Sequence, residues 1–313
     1  MDRPHTSLLI LILLSLAQLM IVLDFSIVNV ALPSIQSQFH LTPTKLQWVV
    51  SAYALTFGGF LLLGGRASDL FNRKMTFLIG LIVFSLASLL GGLATSAVLI
   101  FISRAVQGLG ASMLSPSALS LITTTFPEGS ERNKALGIFS SMAAIGFTTG
   151  VILGGILTST LSWHWVFFVN VPIGAIAIVA GFLIIPDQSN NQKKKGFDVT
   201  GAVLVTTSLL TIVYAITQIS VPGESFMEVV ILLFLSIGLG ASFIFVERRI
   251  CIPLVPLDIF RRRTIVISDL IMFLAFGANA ALVFIITLFL QEVRDYSPLE
   301  TGLIFIPAGL GGL

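Results

Sequence analysis

The chain is a succession of apolar runs, each about twenty residues long and separated by short polar breaks, a length that matches the hydrocarbon core of a bilayer. In lipid, every backbone amide must be paired within its own segment, so such runs can only be helices unless they close a barrel. We read spans at 8–32, 46–64, 75–94, 97–116, 135–157, 165–185, 199–220, 227–246 and 265–290, with a tenth beginning near Leu299. The composition agrees, at 56% hydrophobic and 10% charged residues, far from the balance of a soluble domain. The expected fold class is an all-α polytopic membrane protein.

The rest of the composition narrows the chemistry. A net charge of +2, with no basic cluster of its own domain, gives no reason to expect a nucleic-acid partner. A single cysteine, Cys251, excludes an intrachain disulfide and a thiolate metal cluster. His5, His40 and His164 are too scattered to suggest a metal set. No cofactor and no enzyme activity are expected, since no nucleophile–base pair stands out. Arg3 followed by an apolar run has the start of a signal peptide. That run continues to Leu32 without a small-residue cleavage site, so a retained first helix is expected.

Basic residues give the orientation. With the N-terminus in the cytoplasm, the inner loops hold Arg3; Arg66, Arg73 and Lys74; Arg132 and Lys134; Lys193, Lys194 and Lys195; and Arg248, Arg249, Arg261, Arg262 and Arg263. Lys45 and Arg294 are left outside, and Arg104 lies within a span. Trp48, Trp163 and Trp165 fall at the outer ends of spans, where an aromatic belt belongs. Along the chain we expect a six-helix block over 1–185, a polar linker at 186–198, a helix pair over 199–246, a basic linker at 247–264, and the start of a second bundle over 265–313.

Four features carry chemistry. Asp24 sits inside the first apolar run, where a charge costs about 2.5–3.5 kcal/mol on insertion scales and ordinarily serves a function. A carboxyl poised between desolvation and a nearby cation can load and release a proton, or it can simply bond a neighbouring helix. Asn29 lies on another face of this helix with Gln18, Val22 and Phe25. Arg104 is the second intramembrane charge and shares a face with Gln107, Gly108, Ala111 and Ser115. It either lines a cavity or snorkels to an interface.

The loop Gly65-Arg66-Ala67-Ser68-Asp69-Leu70-Phe71-Asn72-Arg73-Lys74 is the third feature. Gly65 is expected to give the second helix a sharp exit, and Asp69 and Arg73, four apart, to pair on one helical turn. Gly137, Gly146, Gly150, Gly154 and Gly155 are the fourth, a small-residue ridge that lets backbones approach. Asp269, close to Arg263, reads as interfacial. Pro116 and Pro172 read as kinks or helix ends.

Taken together, these residues resemble the major facilitator superfamily, and most closely its 14-helix drug:proton antiporter branch (EmrB/QacA type). Leu23–Pro33 matches the first-helix motif L-D-x-T-x-V-N-V-A-L-P, with Ser26 in place of threonine. Gly65–Lys74 matches the loop motif G-R-L-x-D-R-x-G-R-R, departing at Ala67, Leu70 and Asn72. Arg104, Gln107, Gly108 and Gly110 match R-x-x-Q-G-x-G of the fourth helix. The helix-five glycines match G-x8-G-x3-G-P-x2-G-G, with Val151 in place of the proline. Trp163–Gly174 (WHWVFFVNVPIG) resembles the start of the branch's sixth helix, with His164 where arginine is usual.

The resemblance implies a six-helix bundle, two extra helices and a second bundle, of which about four helices would lie beyond residue 313. It implies proton-coupled export of small hydrophobic or cationic compounds across the plasma membrane. Asp24 and Asn29 would serve the proton or substrate, and Arg104 and Gln107 the coupling. Gly65, Arg66, Asp69, Arg73 and Lys74 would form a cytoplasmic gate, and the helix-five glycines would shape the contact between halves. Its partners would be the lipid bilayer, protons, a small-molecule substrate and, in a Gram-negative host, a periplasmic adaptor protein. Two other readings stay open: a same-fold transporter of a non-drug metabolite, and a non-transporting membrane protein.

Overall fold

The structure, a computed structural model, describes residues 4–70, 72–186, 198–219, 226–250, 253, 255 and 257–305. Arg3, Phe71, the Lys193–Lys195 run with most of its linker, Cys251 and everything past 305 lie outside the described residues, as do the side chains of His5 and Asp69.

Most of the described residues are helical, and none of them forms a strand. The helices are α1 (Pro4–Phe39), α2 (Pro43–Leu70), α3 (Arg73–Gly92), α4 (Ala97–Thr125), α5 (Ser130–Thr160), α6 (Trp165–Phe168), α7 (Asn170–Ile184), α8 (Val199–Gln218), α9 (Phe226–Glu247), α10 (Arg263–Leu288) and α11 (Pro298–Ile304). A 3-10 turn, Leu257–Arg261, precedes α10, and a π-helical turn, Phe289–Val293, extends it. Eight spans among the described residues are long and apolar enough to cross a membrane, with α6 and α7 together forming one of them. The apolar stretch of α8, Thr200–Ile216, is shorter.

Several helices outrun the apolar runs that announced them. The first was expected to close at Leu32 but continues through Pro33 to Phe39, and its 36 residues make a rod about 54 Å long at 1.5 Å per residue. The fourth was expected to end at Pro116 but reaches Thr125. Proline removes one N–H from the ladder, and neighbouring helices in a bundle absorb that loss. At Pro116 the unserved carbonyl is that of Ser112, four residues back. Here α2 presents Gly64, whose added Cβ would collide with the Ser112 oxygen. Pro172 likewise leaves the Phe168 carbonyl without its usual partner, and the ladder is interrupted between α6 and α7.

Two expectations for the α2–α3 connection fail. Gly65 does not end α2, which stays helical to Leu70. It lies in ordinary contact with Pro116 of α4, 3.7 Å from its added Cβ. Asp69 and Arg73 do not lie on one continuous helical turn either, and their pairing rests on the Asp69 side chain, which lies outside the described residues. Asn72 between them is extended (φ −104°, ψ 123°) and caps α3, its Oδ1 accepting from the Lys74 amide at 2.9 Å. The cap competes with continuous helix and wins, because it satisfies an amide that the first turn leaves unpaired. At the α4–α5 connection, Gly129 before α5 has φ +117°, a conformation that side chains with a Cβ resist.

The first six spans make one body. α1 lies along α5, while α4 lies between α2 and α3. Glycines permit these approaches: a Cβ on Gly80 would come within 2.8 Å of the Gly110 carbonyl, and one on Gly110 equally close to that of Gly80. A Cβ on Gly108 would press into the α2 backbone at Tyr53. α4 is thereby seated backbone to backbone in the middle of the bundle. α8 joins this body through α2, with Thr206 Oγ1 donating to the Gly59 carbonyl at 2.6 Å. Ser208 and Ser236 lock α8 to α9, each hydroxyl donating to the other's carbonyl at 2.9 and 3.0 Å. α11 rests on α5 and α10 on α1.

Candidate functional site

Asp24, halfway along α1, is completely buried, and so are Arg104, Gln107 and Asn170. An uncompensated carboxylate there would be intolerable, and three side chains converge on it. Arg104 Nη1 donates to Asp24 Oδ2 at 2.5 Å. Gln107 Nε2 and Asn170 Nδ2 both donate to Oδ1 at 2.9 Å. α4 thus supplies two donors and α7 the third.

Other groups fix the donors in turn. Arg104 Nε donates to the Val49 carbonyl of α2 at 2.9 Å, and its Nη1 also donates to Gln107 Oε1 at 2.9 Å. The Arg104 guanidinium lies over the Tyr53 ring, 4.3 Å from its centroid, a favourable placement for a desolvated cation. Gln107 Nε2 also donates to Ser88 Oγ of α3 at 2.7 Å, and Ser88 donates on to the Phe84 carbonyl at 2.8 Å. Five helices therefore meet through one carboxylate. Arg104 does not snorkel; it reaches inward, across the gap that Gly108 keeps narrow.

Asp24, Arg104 and Gln107, singled out in the sequence, come together. Asn29 stays apart: it is buried, and its Nδ2 donates to the Phe25 carbonyl of its own helix at 2.7 Å. Of the loop residues, Lys74 is buried, and its Nζ reaches the Phe182 carbonyl at the far end of α7 at 3.2 Å. Arg66 and Arg73 are half-buried on α2 and α3. Asp269 is exposed on α10.

The helix-five glycines divide over two neighbours. Gly146, Gly150 and Gly154 face α1, where added Cβ atoms would meet the carbonyls of Leu19, Leu23 and Ile27 at 2.7–2.9 Å. Gly155 faces α11, 2.8 Å from the Pro298 carbonyl, and Gly302 of α11 answers at 2.8 Å from the Val151 carbonyl. Gly137 faces open space.

Three members of the site were not foreseen: Asn170, Ser88 and Tyr53. Asn170 stands inside the stretch Trp163–Gly174, but nothing in the sequence tied it to Asp24. At the turn before α6, His164 stacks on Trp163 with centroids 3.7 Å apart, and burial pushes its imidazole below the ordinary histidine value. Trp163 Nε1 donates to Gln38 Oε1 of α1 at 2.5 Å, which ties that turn to the end of the first helix.

Comparison with known proteins agrees with this arrangement. The family model of the Major Facilitator Superfamily matches residues 14–313. The chain is 40% identical over 301 residues to the puromycin resistance protein pur8 of Streptomyces alboniger, covering 96% of this chain and 59% of that protein. It is 38% identical over 313 residues to the cephamycin export protein CmcT of Amycolatopsis lactamdurans, covering 99% and 64%. The chain therefore spans less than two thirds of the length of either relative. Among solved structures it shares its fold with the POT family transporter PepTSo, with a TM-score of 0.57 at 16% identity over 78% of this chain and 52% of that one. Family model, relatives and helix arrangement agree: the chain belongs to the major facilitator superfamily.

Proposed function

We propose that Asp24 is the proton-carrying group of an efflux transporter that exports small, hydrophobic or cationic compounds in exchange for protons. The observation that carries this reading is a fully buried carboxylate, in the middle of an apolar helix, held by donors from two other helices. Such a group is costly and serves a function by default. The names of the relatives, a resistance protein and an export protein, support export as the direction.

In this reading a proton arriving from outside neutralises Asp24 and loosens its hold on Arg104. Arg104 keeps the Val49 carbonyl and Gln107 as partners, so the released cation is not left bare. Loss of the proton to the inside restores the ion pair. Because α1, α4 and α7 each hold one side of the carboxylate, its charge state changes how those helices are tied together, as alternating access around a midplane site requires. Gly65, Arg66, Asp69, Arg73 and Lys74 belong to the inner gate, with the N-terminus in the cytoplasm.

The test is dye export in the full-length protein. Efflux from energised cells should collapse with a proton uncoupler. Asp24→Asn, which keeps the shape and removes the titration, should reduce it to background at an unchanged membrane level. Unchanged, uncoupler-sensitive efflux in Asp24→Asn would sink the proton-carrier role.

A further inference from the structure

We propose that Asn170 reads the charge state of Asp24 by turning its side-chain amide over, donating to the carboxylate and accepting from the acid. This rests on the reading of Asp24 as a proton site and adds the group that responds to it.

Every neighbour bonded to Asp24 is a donor, which suits an anion. Once protonated, the carboxyl gains an O–H that needs an acceptor in a fully buried site. Arg104 has none to offer. Gln107 is committed at both ends: its Oε1 accepts from Arg104 while its Nε2 serves Asp24 and Ser88. Reversing it would break all three bonds. The Ser88 hydroxyl already accepts from Gln107 and donates to the Phe84 carbonyl. Along α5, the face against this part of α1 is the glycine ridge at Gly146 and Gly150, which brings no titratable group. From α2, Tyr53 offers its ring face to Arg104, and its buried hydroxyl has no hydrogen-bond partner, but no hydrogen bond joins it to Asp24.

Of the side chains bonded to Asp24, Asn170 alone has an acceptor to spare. It is completely buried, one amide hydrogen goes to Asp24, and its Oδ1 has no hydrogen-bond partner. An unpaired amide oxygen in the interior is a rare and costly feature. A half-turn about its Cβ–Cγ bond exchanges the two ends of the amide and brings that unused oxygen to Asp24. The new Asp24 O–H then donates to Oδ1, and no other bond in the cluster is lost. Asn170 is also the first residue of α7, just after the interrupted ladder at Val169, so the end of the sixth span carries the response.

The test is infrared difference spectroscopy of the full-length protein in lipid nanodiscs, labelled in the asparagine side-chain amide and taken from neutral to acid pH. Acidification should produce a carboxylic-acid band that is absent in Asp24→Asn. With it, one asparagine carbonyl band should move to lower frequency as it begins to accept, and that band should be missing in Asn170→Ser. Both signals should persist in Tyr53→Phe.

In transport, Asn170→Leu should lower proton-driven efflux about tenfold, the size of one lost hydrogen bond to a charged group. Asn170→Ser, smaller and able both to donate and to accept, should stay within a few-fold of the native protein. An acid band with no moving amide band would overturn the proposal and leave Asp24 as the proton site. Disappearance of the amide signal in Tyr53→Phe would overturn it in the same way, as would a serine variant that fails as badly as leucine. Absence of any acid band would overturn the reading of Asp24, and this proposal with it.

Discussion

Arg104 is the side chain on which most of the cluster depends. It has one hydrogen bond to each of three groups, Asp24, Val49 and Gln107, and a ring beneath it. Removing one member of a buried ion pair leaves the other uncompensated, which costs about 3–5 kcal/mol in proteins generally. Arg104→Leu should therefore lower the thermal stability of the purified protein by about that amount, and Asp24→Asn in the same chain should restore part of it. Equal melting of Arg104→Leu and the native protein would mean that the pair contributes nothing.

Asp24, Arg104 and Gln107 were legible because a charge, or a large amide beside one, stands out against an apolar run. Ser88, Tyr53 and Asn170 were not, since small or neutral polar residues are common in such helices and most are satisfied locally. Asn29 shows the converse. It looked like part of the site, yet its amide is satisfied one turn back on its own helix, the local alternative open to Asn side chains.

At the scale of the element, α5 shows how much a glycine pattern conceals. The spacing gave a ridge, but not which glycine faces which neighbour. Gly150 meets the Leu23 carbonyl and Ser26 of α1, while Gly137 meets nothing. Gly150→Ala should force α1 and α5 apart and cost about 1–3 kcal/mol, as overpacking does. Gly137→Ala should stabilise the helix by about 0.5–1 kcal/mol through propensity alone. Thermal melts of the two single variants separate these effects. If both shifted the same way, the ridge would be a matter of composition rather than contact.

Helix ends were misjudged for a related reason. Apolar runs mark where lipid begins, whereas capping marks where helix ends. The two differ by several residues at Pro33 and Pro116, and at Asn72 a cap divides what spacing had joined.

At the scale of the whole molecule, the loops carry the signal for which way round it sits. Successive spans alternate in direction, so the α2–α3 and α4–α5 turns share one end and the α1–α2 and α5–α6 turns the other. The first end carries Arg66, Arg73, Lys74, Arg132 and Lys134; the second carries Lys45 and the tryptophans Trp163 and Trp165. From the bias of basic loops toward the cytoplasm we expect the N-terminus inside. Lys45 and Lys134 are both exposed, and the chain's single cysteine can be removed as Cys251→Ser. In that background, a membrane-impermeant thiol reagent added to intact cells should label Lys45→Cys and spare Lys134→Cys until the cells are opened. The reverse pattern would put the N-terminus outside. The proposed gate at Gly65–Lys74 would then lie on the outer face, while exchange against inward-moving protons would still carry substrate out of the cell.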